Sequence, residues 1–161
     1  MLTIDRLKEL LDYDHLTGNF LWKKKRNGGY SVGAIAGCKT LEGYWQLRID
    51  NKSYKAHRVA WFFVYGIWPL ILDHIDHDKL NNRIINLREV TTAENGQNQI
   101  EAQAGNKNGF LGVDYHKSSR KFRAHIMTNR KRKFLGSFLT AEEAHEAYIA
   151  AKREVHSTCT I

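Results

Sequence analysis

An aspartate and a histidine stand side by side at positions 73 and 74, and an asparagine follows at position 95. The imidazole of His74 has an intrinsic pKa near neutral pH, so it can act as a general base that takes a proton from water. The Asp73 carboxylate and the Asn95 amide oxygen are hard donors that can hold one Mg²⁺ or Mn²⁺. Phosphodiester hydrolysis needs both parts, because water must be deprotonated and charge on the phosphate and leaving oxygen must be neutralised.

Each of these residues also has a simpler interpretation when it is taken alone. An Asp-His pair is often an ordinary hydrogen-bonded pair, and an asparagine in the first turn of a helix is often a cap. Asp76 and Asp78 are typical of turns, and His57 of a packed, hydrogen-bonded histidine. The ordered combination favours the chemical interpretation over these separate ones.

The stretch 72–95 predicts the elements that position this chemistry. Asp73 and His74 end an apolar run, residues 77–83 form a turn or loop, and residues 85–90 form a short second strand. Thr91 and Glu94 match a capping box, which starts a helix with Asn95 in its first turn. The predicted order is strand, loop, strand, helix, with a hard oxygen ligand at each end.

The preceding residues predict a small framework. Thr3 can cap a helix over about residues 4–11, and residues 18–23 form a strand. Strict alternation in 44–50, with Asp50-Asn51 as the turn, predicts a hairpin, and residues 57–66 form a buried helix that ends at Gly66. A basic loop that contains Lys24, Lys25 and Arg26 follows the predicted strand over 18–23. It either contacts phosphate or is merely solvated.

The last third of the chain predicts a second module. After a linker over 101–109 come three strand-like runs, 110–116, 121–127 and 133–138, and then a helix that starts at a Thr140/Glu143 capping box. Its apolar stripe comprises Ala141, Ala144, Tyr148, Ala151 and Val155. Eight basic residues and no acid lie between 115 and 133, so one sheet face is positively charged and can enter a DNA major groove.

Composition agrees with a nucleic-acid partner. The 161 residues carry a net charge of +8, divided into +4 over 1–56, −1 over 57–107 and +5 over 108–161. A basic surface of this size favours a polyanion, although it can also serve solubility alone. The longest apolar run, Val59–Tyr65, is too short for a membrane span, and the N-terminus does not match a signal peptide. Cys38 and Cys159 are expected to be buried or half-buried thiols, which fits a reducing cytoplasm.

The stretch from Asp73-His74 through Asn81-Asn82-Arg83, Asn86-Leu87 and Thr91 to Asn95 resembles the HNH endonuclease motif with its ββα-metal fold. It is most similar to the motif of phage-type HNH homing endonucleases, a likeness that covers about residues 1–100. The resemblance implies that His74 is the general base, that Asp73 and Asn95 bind one divalent metal, and that Asn86 braces the loop carrying His74. His77 stands where family members commonly have glycine, so we expect a strained left-handed turn there, or an added metal or phosphate contact.

Residues 108–156 resemble the APETALA-type or ethylene-response-factor DNA-binding domain, through Gly112-Val113, 121–126, 133–138 and 140–148. That likeness implies that the sheet reads DNA in the major groove. The implied DNA-facing residues are Arg123, His125, Met127, Arg132 and Phe134, with Lys117 and Lys121 on phosphates. Asp114 and Tyr115 depart from the basic and polar residues of the family, which puts the direct base contacts in question.

The sequence therefore predicts an α+β protein with a central ββα-metal finger, N-terminal hairpin and helix elements, and a C-terminal three-stranded antiparallel sheet packed on one helix. The predicted segments are 1–56, a nuclease core over 57–104, and a linker with the DNA-binding domain over 105–161. The predicted function is site-specific cutting or nicking of double-stranded DNA in the cytoplasm of a phage host, with Mg²⁺ or Mn²⁺ and with neither a membrane nor a small-molecule substrate. A non-catalytic DNA-binding regulator is the alternative, a nuclease directed at RNA is less favoured, and monomer and dimer are both open.

Overall fold

The computed structural model describes residues 2–25, 31–98, 106, 108–128 and 131–155. Within these ranges the chain is mixed α/β, with four α-helices and several small antiparallel sheets. It divides into two compact units, Met1–Thr91 and Thr92–Ile161. The three segments predicted from the sequence stay a prediction. None of the helices in the described ranges is long and apolar enough to cross a membrane.

The first unit alternates short helices and strands. Its elements are α1 Ile4–Leu10, β1 Leu11–Tyr13, β2 Phe20–Trp22, β3 Cys38–Lys39, β4 Trp45–Ile49, β5 Lys52–Lys55, α2 Ala56–Tyr65, β6 Leu72–His74, a 3₁₀ turn Ile84–Asn86 and β7 Leu87–Glu89. In the described residues β1 pairs with β2, β3 with β4, β4 with β5, and β6 with β7, all antiparallel.

Local sequence signals explain most of these boundaries. Thr3 Oγ1 accepts a hydrogen bond from the backbone N–H of Arg6 at 3.2 Å, which caps α1 as predicted. Asp50 and Asn51 have φ values of 45° and 61°, the left-handed conformation that a two-residue hairpin turn between β4 and β5 requires. Gly66 has φ 73° and donates its N–H to the carbonyl of Phe62, so it ends α2 as predicted.

The core of the first unit joins the N-terminal elements and α2 to β7. Helix α2 buries one face against β4, where Leu47 and Ile49 alternate inward. The fully or nearly fully buried members include Leu7, Leu11, Phe20, Ala36, Leu47, Ile49, Ala56, Val59 and Ala60. Leu87 of β7 belongs to the same cluster, so the site is attached to this core.

The second unit contains α3 Thr92–Gln97, β8 Val113–His116, β9 Lys121–Thr128, β10 Lys131–Phe138 and α4 Ala141–Val155. In its described part β9 lies between β10 and β8, and α4 packs on one sheet face over Val113, Ala124 and Ile126. Glu143 N–H donates to Thr140 Oγ1 at 3.2 Å, which confirms the predicted cap. The predicted linker over 101–109 falls largely outside the described residues.

Two expectations about individual side chains are wrong. Val155 does not continue the buried stripe of α4, because it is the last residue of the helix and is 39% exposed. Lys152, one turn after Tyr148, is buried instead. Cys38 is exposed rather than buried, since it lies in the two-residue strand β3, both of whose side chains face solvent. Cys159 lies outside the described residues.

Candidate functional site

The β6–β7 ribbon places Asp73 and His74 at the start of a long connection. Asp73 lies opposite Arg88, and His74 lies opposite Leu87. Successive residues of a strand point to opposite faces, and here His74 is buried at 6% exposure whereas Asp73 is only partly covered. The two side chains therefore occupy different environments although they are neighbours in sequence.

Asp73 forms an ion pair with the residue opposite it. Nε and Nη2 of Arg88 donate to Oδ2 of Asp73 at 3.0 Å and 2.8 Å. This fork fixes the orientation of the carboxylate, because a planar guanidinium holds an oxygen in a defined direction.

Asn86 braces the loop that follows His74. Its Nδ2 donates to Oδ1 of Asp76 at 2.8 Å and to the carbonyl of Asn81 at 2.9 Å, and its Oδ1 accepts the N–H of Asp76 at 3.1 Å. The carbonyl of Asn86 also accepts the N–H of Ile75 at 2.9 Å. These four bonds lock the two ends of the loop together, which supports the role that the family resemblance implies for Asn86.

The acidic residues of the loop serve turns. Oδ1 of Asp76 accepts the N–H of Asp78 at 2.9 Å, and Oδ1 of Asp78 accepts the N–H of Leu80 at 2.9 Å. Burial alone would raise the pKa of Asp76, but hydrogen bonds from Asn81 and Asn86 lower it overall. His77 has φ 63°, so the left-handed turn expected at this position is confirmed, while a metal or phosphate contact of His77 stays a prediction.

The imidazole of His74 is enclosed by polar and aromatic neighbours. Its Nε2 lies 3.4 Å from Oδ1 of Asn82, and its ring centroid lies 5.0 Å from that of His57 and 6.3 Å from that of Tyr44. Burial lowers the pKa of His74 below its usual value, although the hydrogen bond to Asn82 opposes the shift. His74 is therefore neutral at neutral pH, the state in which an imidazole accepts a proton.

The amide of Asn82 determines which nitrogen of His74 carries the proton. Nδ2 of Asn82 donates to the carbonyl of Leu80 at 3.1 Å, so its oxygen is the atom that faces the ring. An amide oxygen only accepts, and Nε2 must therefore be the protonated nitrogen of a neutral His74. The lone pair is left on Nδ1, the atom that would take a proton from water.

Three residues beside His74 were not singled out as site residues from the sequence. Asn82 is buried at 3% exposure, and His57 at 6%, while Tyr44 carries the ammonium groups of Lys55 and Lys79 at 4.0 Å and 5.1 Å from its ring centroid. Two cations thus lie on the ring of Tyr44, where they suit a phosphate backbone, although Nζ of Lys55 also pairs with Oε2 of Glu42 at 3.4 Å. The pair Asn81-Asn82 was visible in the motif, but nothing local indicated that the second amide turns toward His74.

His57 is packed as expected, but its Nδ1 has no hydrogen-bond partner among the described residues. Burial, reinforced by the nearby His74, lowers the pKa of His57 to about 3. The expectation of a hydrogen-bonded histidine is therefore not met at this atom.

Because of His57, the free energy of unfolding of the first unit is expected to decrease as the pH drops below about 6.5. Above that pH His57 is neutral in both states, and below it the unfolded chain binds a proton that folded His57 does not bind until about pH 3. The free energy of unfolding should fall by up to about 1.4 kcal/mol per pH unit in that window. Urea unfolding at pH 7.5 and 5.5 measures this, with His57→Phe as the control that keeps a ring without a titrating group. Equal losses in both proteins would contradict the prediction.

Asn95 lies exposed on α3, in the second unit, whereas Asp73 belongs to the first. Their joint binding of a metal therefore stays a prediction. No group of three or more His, Cys, Asp or Glu side chains suited to a metal occurs in the described part of the chain. The predicted metal ligands are one carboxylate, Asp73, and one amide, Asn95. Oxygen donors of this kind fit a hard divalent cation whose other ligands are waters.

In the second unit, the sheet face away from α4 carries a cluster around Asp114. Nε and Nη2 of Arg123 donate to Oδ2 of Asp114 at 3.1 Å and 2.7 Å, and Nη2 of Arg132 donates to Oδ1 at 2.7 Å. Nδ1 of His125 lies 2.9 Å from the same Oδ1. Burial would raise the pKa of Asp114, but Arg123 and the other cations lower it overall. The acid that departs from the family pattern thus holds three predicted DNA-facing side chains in place.

The other residues predicted to contact DNA lie at separate positions. Lys117, Lys121 and Phe134 are exposed, and the ring of Phe134 lies 5.4 Å from that of His125 with the two ring planes tilted by 53°. Met127 is also exposed. Lys24 pairs with Glu9 of α1, Lys25 is exposed, and Arg26 lies outside the described residues.

Comparison with known families gives a match over part of the chain. Residues 54–97 match the model of the HNH endonuclease family. This segment contains α2, the β6–β7 ribbon, the braced loop and α3, and the match supports a nuclease that acts on DNA. Comparisons with curated proteins and with solved structures return no match.

Proposed function

Because residues 54–97 match the HNH endonuclease family, we propose that this protein is a site-specific DNA endonuclease that depends on one divalent metal. The observation that carries the proposal is the buried, neutral His74, held by Asn82 at the start of a loop that Asn86 braces. A neutral imidazole with a defined lone pair is suited to general-base catalysis at neutral pH.

In the proposed reaction a water oxygen attacks the phosphorus while Nδ1 of His74 takes the proton of that water. The bond between phosphorus and the 3′ oxygen breaks, and the 3′ oxygen gains a proton from solvent, which leaves a 5′ phosphate and a 3′ hydroxyl. Asp73 and Asn95 would hold the Mg²⁺ or Mn²⁺, which when bound supplies positive charge to the phosphate and the leaving oxygen. Arg88 orients Asp73 for this role, and Lys55 and Lys79 provide cations for the DNA backbone.

The second unit is proposed to bind the DNA around the cutting site. Its support is the basic sheet face opposite α4 and the resemblance of 108–156 to the ethylene-response-factor domain. By the likeness of the first 100 residues to phage-type homing endonucleases, the proposed biological role is mobile-element homing.

Incubation of supercoiled plasmid with the purified protein tests the proposal. Nicked or linear product should form with Mg²⁺ or Mn²⁺, and a chelator should abolish it. Sequencing the ends should give 5′ phosphates at defined positions. An absence of cutting with every divalent metal, together with tight DNA binding, would favour the non-catalytic regulator instead.

Replacement of Asp114 by asparagine is expected to loosen the discrimination of DNA sequences. The change removes the charge that neutralises Arg123 and Arg132, so both guanidiniums become available to phosphates. Affinity for random duplex DNA should rise by about 3- to 10-fold, and the slope of log affinity against log salt should steepen by about 1. Fluorescence anisotropy over a salt series measures both.

Glu142→Gln is the matched control for Asp114→Asn. Glu142 is an exposed acid of α4, the helix that covers the opposite sheet face, and its replacement makes the same change in net charge. Equal effects of the two variants would show that the Asp114 face is not the DNA-binding surface.

A further inference from the structure

We propose that the β1–β2 hairpin positions His74 through Asn82, with Tyr13 and Gly18 as the positioning residues. The inference rests on the proposed function, in which His74 is the general base. It assigns to an N-terminal segment, outside the stretch that matches the HNH family, a part in aligning the reaction.

Tyr13 holds the backbone of Asn82 from one side. Its hydroxyl donates to the carbonyl oxygen of Asn82 at 2.7 Å, in a buried contact between residues 69 positions apart. The ring is fixed by Phe20 and Phe63, at centroid distances of 4.9 Å and 5.8 Å. Burial raises the pKa of Tyr13 to about 12, so the hydroxyl keeps its proton and donates throughout the neutral range.

Gly18 lies against the same peptide unit. A Cβ at this position would come within 2.5 Å of the nitrogen of Arg83 and 2.6 Å of the carbonyl carbon of Asn82. Both are backbone atoms, which cannot swing away as a flexible side chain can. Gly18 also has φ 77°, a conformation that glycine adopts without strain.

The turn that carries Gly18 is held internally. Its N–H donates to the carbonyl of Asp14 at 2.8 Å, the N–H of Asp14 donates to the carbonyl of Asn19 at 2.9 Å, and the N–H of Leu16 donates to Oδ1 of Asp14 at 2.9 Å. The hairpin therefore presents a rigid surface to Asn82.

Asn82 is thus fixed through its backbone by Tyr13 and Gly18, and its side chain fixes Nε2 of His74. At 3.4 Å the contact between Nε2 and Oδ1 is already long, so a shift of a few tenths of an ångström would break it. Misplacement of a catalytic group by about 1 Å can cost about 10²-fold in rate. The geometry predicts a loss of turnover rather than a loss of DNA binding when the hairpin surface is altered.

Gly18→Ala tests the inference, with Gly33→Ala as the matched control. Gly33 has φ 81°, so alanine meets the same backbone strain there, but no described atom lies within 4 Å of its would-be Cβ. Gly18→Ala should lower kcat for plasmid cutting by about 10- to 100-fold with little change in the Kd for DNA. Gly33→Ala should lose stability but keep the wild-type kcat.

A second readout does not depend on activity. Long-range ¹H–¹⁵N correlation spectra at pH 7.5, with His74 assigned from a His74→Gln sample, should show Nε2 protonated in the wild type and in Gly33→Ala. In Gly18→Ala the two tautomers should mix. Tyr13→Phe keeps the packed ring and loses only the hydroxyl, so it should show a smaller drop in kcat and a smaller admixture of the second His74 tautomer. If Gly18→Ala does not fold, Tyr13→Phe is the variant that tests the positioning role.

Different outcomes would refute the proposed function and the positioning role of Tyr13 and Gly18. A wild-type protein that does not cut DNA, or a His74→Ala variant that cuts normally, would overturn the proposed function. If the wild type cuts but Gly18→Ala and Tyr13→Phe keep both its kcat and its His74 tautomer, the positioning role alone is refuted.

Discussion

Replacing His74 by alanine is expected to slow DNA cutting by about 10²- to 10⁴-fold while leaving DNA affinity nearly unchanged. The side chain is buried beside Asn82 and His57, so it has little surface with which to bind DNA, and its loss removes the proton acceptor. Single-turnover cutting of plasmid at saturating protein, with anisotropy for binding, separates the two effects.

The pH dependence and chemical rescue sharpen this prediction. Burial lowers the pKa of His74 below 6.5, so the neutral base dominates at pH 7. The cutting rate should therefore increase with pH only in the acidic range below 6.5 and stay constant above it. Added imidazole should restore part of the activity of His74→Ala, since the vacated space lies where a base is needed. Cutting by the variant at the wild-type rate would refute the assignment of His74.

Gly112→Ala is expected to unfold the three-stranded sheet and α4 selectively, without α3, which carries Asn95 and contributes no residue to the core of that sheet. A Cβ at Gly112 would come within 2.1 Å of Cδ2 of Tyr148, a buried ring of α4, and φ is 76° at this position. The left-handed backbone costs an alanine about 1–2 kcal/mol, and the overlap with a packed ring adds about 1–3 kcal/mol. For a unit of this size the sum is a large part of the free energy of unfolding.

The distribution of tryptophan makes this prediction measurable. Trp22, Trp45, Trp61 and Trp68 all lie in the first unit, so tryptophan fluorescence reports on that unit alone. The fluorescence-detected urea curve should stay unchanged, whereas the circular-dichroism curve should lose the contribution of that sheet and α4. Gly109→Ala is the matched control, because its φ is 74° but no described atom lies within 4 Å of the new methyl group.

Gly112→Ala also tests how much of the DNA binding each unit contributes. Metal-dependent cutting should persist at higher protein concentration, and the salt slope of DNA affinity should flatten as the phosphate contacts of the sheet face are lost. Loss of all cutting, or a shift of the tryptophan curve, would show that the two units do not act separately.

Much of the framework could be predicted because its signals are local. Thr3, Gly66 and Thr140 mark helix ends through bonds to residues three or four positions away. Asp50-Asn51 specifies a turn by residue type, whereas the left-handed backbone at His77 was expected because members of the resembling family commonly have glycine there. The three strands and the helix of the second unit follow from alternation and helical periodicity in the same way.

The contents of the site were predicted less completely. Asp73 and His74 were proposed as site residues because their types and order suggested chemistry, and the brace at Asn86 was implied by family resemblance. The orienting amide of Asn82, the neighbouring ring of His57 and the clustering of Arg123 and Arg132 on Asp114 were not predicted from the sequence. Each depends on which side chains packing brings together.

The sequence by itself determined the order of elements, the turns and the residues able to act as a base. Tertiary structure decided which nitrogen of His74 holds the lone pair, because that depends on Asn82 and, through it, on Tyr13 69 positions earlier in the chain. Local patterns encode the conformation of a few neighbouring residues, whereas the direction of a buried hydrogen bond is fixed only when distant segments share one core.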